Sequence, residues 1–443
     1  MARFRLTVEV GSARAPARRP LRRPARPSRI SALGRLVGSV DLPWRQIRLA
    51  GLIATALLVA ISAWDYLQPV PQVTASSFGP TQSAVAGASP SVPWPDVGSA
   101  AIGASSLGLI ATSGAAAPAP IASLAKVMTA LIILTDKPMA PGETGPTIVI
   151  TDQDVATYIA DKADQQSVVP VELGERLNEF EGLEALLVGS GNNIAVTLAR
   201  WDAGSVTAFV GRMNDRAGQL HLAHTTFAET AGVSVQTVST PGDMVLLGAA
   251  AMQQQVFAQI VDLPQSVLPV AGIVYNVNSA LGESGIIGIK TGFGLNLGAN
   301  FLFAAAASVD AKQVTLLGCV MGQPTLDAAF KAAEDLIAVM KSNVHVRSVV
   351  VRSGAVGEYR TGWGSRTGIA ATDTVSLVEW PGMNLRRELD APALAVDHHV
   401  PAGVSAGRMR ITLGDQEYSV PLVTTGALDP PELVWRLWRI SLG

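Results

Sequence analysis

The chain has 443 residues, of which 48% are apolar and 15% charged, with a net charge of −2 and a single cysteine. That length allows two or three domains with ample core, and the near-neutral charge removes an electrostatic case for whole-chain nucleic-acid binding. Cys319 alone excludes an intramolecular disulfide, although that does not assign a compartment.

The charge is unevenly placed. Residues 1–48 carry twelve arginines against Glu9 and Asp41, interleaved with prolines as in Arg18-Arg19-Pro20-Leu21-Arg22-Arg23-Pro24. Such a segment cannot bury enough apolar surface to fold, so a disordered basic tail is expected. Residues 49–66 follow, uncharged from Leu49 to Trp64 and closed by Asp65. This reads as a transmembrane anchor, slightly short of the roughly 20 residues a bilayer core asks for. Arg45 and Arg48 can snorkel at one end while Trp64 and Tyr66 sit in the interface at the other. Basic residues before the run predict an N-terminus in the cytoplasm and everything later outside. A cleaved signal peptide, with Val73-Thr74-Ala75 as its site, competes, but 48 residues make a long leader. A buried soluble helix also competes, against the basic flank. Residues 67–96, rich in Pro, Ser, Ala, Gly and Thr, read as a flexible tether.

Residues 97–342 alternate strand and helix signals. Residues 100–104 and 109–112 predict two short strands across a Ser-Ser-Leu-Gly turn. From Leu124 the sequence predicts a helix apolar nearly all round, the mark of a buried core helix. Residues 147–150 and 167–173 predict strands, and 183–187, 194–201, 206–220 and 241–252 helices. The pattern from there to 285 is mixed. Residues 286–291, 301–309 and 313–321 predict strands, and 325–340 a helix with one apolar stripe. The expectation is an α/β domain with a mainly antiparallel sheet, helices on both faces and a helical insertion. Residues 343–427 predict a small all-β domain. Residues 428–443 predict an amphipathic helix, suited equally to a membrane interface or to docking on the domain.

Three short motifs carry chemistry. In Ser123-Leu124-Ala125-Lys126, hydroxyl and ammonium share a helical face. Burial and a helix N-terminus both lower a lysine's pKa, and a neutral amine beside a hydroxyl is a base next to a nucleophile. The plainer reading has Lys126 snorkelling and Ser123 capping the helix. None of the other six lysines has a serine three residues before it. Ser190-Gly191-Asn192 sits in a glycine loop between two helices. Lys290-Thr291-Gly292 ends an apolar strand. Singly, each is weak.

In this order the three are the motif set of penicillin-binding proteins and class A β-lactamases. The residues 120–130 and 288–292 closely resemble the serine-type D-alanyl-D-alanine carboxypeptidases, the low-molecular-mass penicillin-binding proteins. The resemblance spans about 97–342, with further matches at Met213-Asn214 and Ser239-Thr240-Pro241-Gly242-Asp243. It implies a penicillin-binding/β-lactamase-like transpeptidase fold, and a small β domain after the catalytic one also occurs in that family. It further implies acyl transfer without a cofactor or metal. Ser123 is the nucleophile, Lys126 the base and Ser190 a proton relay. Asn192 binds a substrate amide, and Lys290, Thr291 and Gly292 hold the terminal carboxylate and the strand-edge backbone. The backbone N–H groups of Ser123 and Phe293 form the oxyanion hole. The implied partners are the peptidoglycan pentapeptide and, as covalent inhibitors, β-lactams. Two positions depart from the family pattern. Phe293-Gly294-Leu295-Asn296 puts an apolar lip where a small polar residue is common, and Gly189 replaces a proline.

Rival readings are weaker. A class A β-lactamase needs its glutamate after the second motif, whereas Glu175-Arg176-Leu177-Asn178 lies before Ser190. Gly403-Val404-Ser405-Ala406-Gly407 matches a nucleophile elbow beside Asp397 and His398, but an alternating strand follows it, not a helix. His221 and His224 lack an acidic partner in zinc spacing. A non-catalytic muropeptide binder remains compatible with the Phe293 departure.

Overall fold

The computed structural model describes residues 44–114, 117–294 and 297–442. The expected tail therefore lies outside the described residues up to 43, as do Leu295 and Asn296 of the lip. The chain divides into two compact units, Met1–Gln68 with Leu433–Gly443, and Pro69–Glu432.

The first unit is built on α1 (Trp44–Leu67), 24 residues of mean hydropathy 1.9, long and apolar enough to cross a membrane. At 1.5 Å per residue it spans about 36 Å, more than a hydrocarbon core of about 30 Å. The apolar run was therefore read short by sequence, because the helix continues through Arg45 and Arg48 at one end and Asp65 at the other. None of its apolar window is buried in protein, which removes the buried soluble helix.

In the second unit, β1 (Ala75–Ser77) and β2 (Gln82–Ala84) come first. The region holding the three motifs begins with the hairpin β3 (Ser99–Ala104) and β4 (Gly108–Thr112), then β5 (Ala119–Pro120), a single 3-10 turn at Ala122–Leu124, and α2 (Ala125–Asp136). The helical insertion comprises β6 (Thr147–Val149), α3 (Asp152–Ala163), β7 (Arg176–Asn178), α4 (Glu179–Leu187), α5 (Asn192–Ala203) and α6 (Val206–Gln219). After β8 (Val238–Ser239), α7 (Pro241–Met252), α8 (Gln255–Val261) and the hairpin β9 (Gln265–Leu268) and β10 (Gly272–Tyr275), the chain returns to the sheet. It does so through β11 (Ile286–Gly294), β12 (Gly298–Val309) and β13 (Lys312–Gln323), and closes with α9 (Leu326–Asn343).

These strands form one antiparallel sheet in the order β11-β12-β13-β3-β4. Both faces are covered, which is why β12 and β13 read as near-continuous apolar runs. Leu302, Ala304, Leu317 and Cys319 pack in one cluster with α2 and α7, while Phe301, Phe303, Leu316 and Val320 pack with Phe330, Leu336 and Ile337 of α9. The all-round apolarity of α2 is explained by its place: residues 125–134 are all buried, Lys126 among them. The strand expected at 167–173 does not form. Asn193 brackets Val169 instead, its Oδ1 accepting from the Val169 N–H at 3.0 Å and its Nδ2 donating to the carbonyl at 2.8 Å, so a side chain takes the place of a ladder partner.

The β domain contains β14 (His345–Val350), β15 (Ala355–Arg360), β16 (Arg366–Ala371), β17 (Val375–Glu379), β18 (Asn384–Asp390), β19 (Ser405–Leu413) and β20 (Gln416–Thr424). Its main sheet runs β1-β15-β16-β20-β19-β18-β2. Both edges are thus supplied by the segment expected as a tether, which corrects the reading of 67–96. Val73 and Val85 are buried, and Val73 forms a bridge with Leu394. Composition pointed to a linker because short, polar edge strands look like one; their N–H and C=O groups nevertheless cap an open sheet. Only residues 78–81 separate β1 from β2, a reach of about 18 Å at most, so the sheet curls until its two ends are neighbours. Ser405 opens β19 and Ala406 and Gly407 lie within it, so Gly403-Val404-Ser405-Ala406-Gly407 leads into a strand, where a hairpin turn was expected, and is no nucleophile elbow. Returning to the first unit, α10 (Leu433–Leu442) lies against α1, with the Arg436 guanidinium 4.7 Å from the Tyr66 ring centre.

Candidate active site

Ser123 stands in the middle of the 3-10 turn that opens α2. The turn begins with Ala122 at φ 48°, a left-handed conformation unusual for a residue with a side chain. Two glycine backbones hold it from either side. A Cβ on Gly232 would fall 1.7 Å from the Ala122 carbonyl oxygen, and one on Gly292 would fall 2.8 Å from the Ile121 carbonyl and 3.2 Å from the Ser123 nitrogen. Only glycine lets both neighbours approach so closely. Strand β11 therefore runs directly past the turn that carries Ser123.

Lys126 is completely buried. Its Nζ lies 2.7 Å from Ser123 Oγ, 2.6 Å from Asn192 Oδ1 and 3.0 Å from the Ala231 carbonyl oxygen. Burial holds its pKa well below the usual lysine range, and the nearby Lys290 charge adds to this; Glu229 and Asp161 oppose it. A neutral amine has two N–H donors and one lone pair. The Asn192 and Ala231 oxygens can only accept, so both N–H groups go to them and the lone pair is left to the Ser123 hydroxyl. The amine is poised to take a proton from that one oxygen.

Lys290, on β11, is 2% exposed and donates to the Thr291 carbonyl at 3.3 Å. Among the described residues no carboxylate lies within ion-pair distance of its Nζ. Burial brings its pKa down to about 8. A buried cation lacking a counter-ion is costly unless an anion arrives from outside. Thr291 is buried beside it, while Phe293 is 56% exposed.

Ser190 is buried with a left-handed φ of 55°. Asn192, expected to meet a substrate amide, is engaged at both ends within the protein, with Nδ2 donating to Gln166 Oε1 at 2.8 Å. Its resting role is to fix Lys126. Several supporting residues escaped the sequence reading. Asn300 on β12 donates to the Pro120 carbonyl at 3.2 Å and accepts from the Gly322 N–H at 2.9 Å, tying the sheet to the segment before Ser123. Thr129 donates to the Thr230 carbonyl at 2.7 Å. Asn214, one of the family-like matches, brackets the Phe227 peptide, and Asp243, another, accepts from the His224 N–H and the Thr225 hydroxyl. Glu175 is spent on the backbone N–H groups of Glu172 and Val270.

Comparison with known proteins agrees with this geometry. The family model described as D-alanyl-D-alanine carboxypeptidase, peptidase S11, matches residues 100–325, just over half of the chain. A D-alanyl-D-alanine endopeptidase of Pseudomonas aeruginosa is 29% identical over 147 residues, 33% of this chain and 44% of that protein. The D-alanyl-D-alanine carboxypeptidase DacB2 of Mycobacterium tuberculosis is 31% identical over 197 residues, 42% of this chain and 62% of the relative. The chain thus spans less than two thirds of the length of these curated relatives. Penicillin binding protein 5 of Haemophilus influenzae shares the fold with a TM-score of 0.57 and 19% identity, covering 77% of this chain and 100% of that one. With its three motifs folded around one buried lysine, this chain belongs to the peptidase S11 family of D-alanyl-D-alanine peptidases.

Proposed function

We propose that the protein is a penicillin-sensitive D-alanyl-D-alanine carboxypeptidase that removes the terminal D-alanine of peptidoglycan stem peptides through an acyl-enzyme on Ser123. The observation that carries this reading is the completely buried Lys126 amine, with its Nζ 2.7 Å from Ser123 Oγ. Lys126 takes the Ser123 proton as Oγ attacks the carbonyl of the penultimate D-alanine. The oxyanion forms against the N–H groups of Ser123 and Phe293, the first in the space that Gly292 keeps open. Ser190 passes the proton to the departing D-alanine amine. The C–N bond breaks, and water then cleaves the ester, returning the proton through the same groups. Lys290, lacking an internal counter-ion, pairs with the substrate carboxylate, with Thr291 beside it. Asn192 turns its amide to the substrate once that site is filled.

The chemistry fits a single-pass membrane protein, with α1 as anchor and the catalytic domain on the extracytoplasmic side. The test is release of D-alanine from a pentapeptide ending in D-Ala-D-Ala, measured beside cleavage of a cross-linked peptide dimer. Steady release from the pentapeptide, absent in Ser123→Ala, is expected. Cleavage of the dimer alone would move the reading to an endopeptidase, as some of the relatives are named.

A further inference from the structure

We propose that Glu229 is a positioning residue for the base: its carboxylate folds residues 229–237 into a cradle that presents the Ala231 carbonyl to Lys126 and supports the turn that carries Ser123. This rests on the Ser123–Lys126 reading above.

One carboxylate organises the whole loop. Glu229 Oε2 accepts from the Ala231 N–H at 2.7 Å, and Oε1 accepts from the N–H groups of Gly232 and Ser234 at 2.7 and 3.4 Å and from Thr237 Oγ1 at 3.1 Å. Four donors on one side chain leave the loop carbonyls pointing away, towards α2. There the Thr230 carbonyl accepts from Thr129 Oγ1 and the Ala231 carbonyl accepts from Lys126 Nζ, two contacts three residues apart on one helix face. At the far end the Thr237 carbonyl accepts from the Ile121 N–H at 3.2 Å, and Gly232 abuts the Ala122 carbonyl. The nucleophile turn and the base are therefore held by the same loop, and the loop by Glu229.

The consequence is chemical. Should the Ala231 carbonyl shift, one amine N–H loses its acceptor, the amine turns about its Cε–Nζ bond, and the lone pair is no longer confined to Ser123. A glutamine cannot replace the carboxylate, because it offers one acceptor oxygen and sets an NH2 group against the Ala231 N–H. The charge acts as well. Three groups from three elements bear on the amine: Lys290 of β11 disfavours its protonation, while Glu229 of the loop and Asp161 of α3 favour it.

The experiment is the second-order rate of acylation by benzylpenicillin from pH 5 to 10, on the full chain in detergent, with melting followed in parallel. Wild-type protein must first be acylated at Ser123; failure there refutes the functional reading, whereas the comparison among variants tests this inference. Glu229→Gln is expected to lower the plateau on the order of tenfold or more, as a small misplacement of a catalytic group does. Its acid limb is expected to move to lower pH, because a charge favouring protonated Lys126 is gone. Glu229→Asp, which keeps the charge but shortens the reach, is expected to lose plateau and keep the acid limb. A Glu229→Gln protein that melts like wild type and keeps its plateau and limb would overturn the proposal. If that variant does not fold, Thr237→Val, which removes one donor, decides: a several-fold lower plateau supports the cradle, and an unchanged one refutes it.

Discussion

The surroundings of Ser123 and the β domain bury charge in opposite ways. In the β domain, the buried carboxylate of Glu379 on β17 has Arg347 of β14 at 2.9 Å, and the buried Gln416 amide of β20 is bonded to both the N–H and the carbonyl of Val378. Both of these groups are settled internally. Around Ser123, Lys290 is as deeply buried with no carboxylate within ion-pair distance among the described residues, and burial and a like charge push the Lys126 pKa down. The contrast teaches that a buried cation without a counter-ion, set beside a hydroxyl and a second buried amine, marks where a ligand's charge belongs.

The comparison can be broken at several points. The largest expected effect is from Gly292→Ala. Its methyl group would sit 3.2 Å from the Ser123 nitrogen, in the space assigned to the oxyanion. Acylation by benzylpenicillin is expected to fall roughly 100- to 1,000-fold, the cost of losing an oxyanion donor, and the melting temperature to drop as well, since the same methyl would fall 2.8 Å from the Ile121 carbonyl oxygen. An unaffected rate would remove Ser123 N–H from the oxyanion hole.

Next comes the β domain, where stability responds and chemistry does not. Replacing residues 73–85 by a Gly/Ser chain of equal length opens both sheet edges and removes the buried Val73 and Val85 side chains. Each buried valine is worth about 1.5–3 kcal/mol, so urea unfolding should shift by several kcal/mol, with aggregation through the freed edges. An unchanged transition would restore the tether reading.

The third effect concerns pH. Acylation and peptide cleavage should rise as Lys126 loses its proton and fall near pH 8 as Lys290 loses its own, because the substrate carboxylate needs the charged form. Lys290→Arg, whose guanidinium stays protonated, should abolish the alkaline limb near pH 8 whatever it costs in rate. A limb that persists in this variant belongs to another group.

The smallest effect is at Glu179. Burial raises its pKa to about 7, and neither carboxylate oxygen has a hydrogen-bond partner among the described residues. Its folded value lies above the ordinary carboxylate range, so its contribution is present at low pH and lost as pH rises through about 7. Glu179→Gln should therefore raise the melting temperature at pH 8 and barely alter it at pH 5. Equal shifts at both would show that the carboxyl is not titrating there.

Much of this was legible in the sequence wherever a pattern is local. The apolar run of α2 marked a buried helix, the stripe of α9 a helix on a sheet, and the three motifs the groove. What escaped depends on distant partners. The 167–173 segment has strand-like residues, but its backbone is claimed by Asn193, 24 positions from Val169. The 67–96 segment has a linker's composition and an edge strand's role, since ladder bonds use backbone groups that composition does not report. Glu229 looked like any loop acid, because what it holds is main chain. Asn192 was placed in the groove by its motif, while its partners, Lys126 and Gln166, appear only once the insertion folds over α2.

The most direct measurement is peptide mapping by mass spectrometry after brief exposure to benzylpenicillin. One penicilloyl group on Ser123, absent from Ser123→Ala and strongly reduced in a folded Lys126→Ala protein, is predicted. An adduct that survives loss of the Ser123 hydroxyl, or none in a wild-type protein that still binds the drug, would contradict the account.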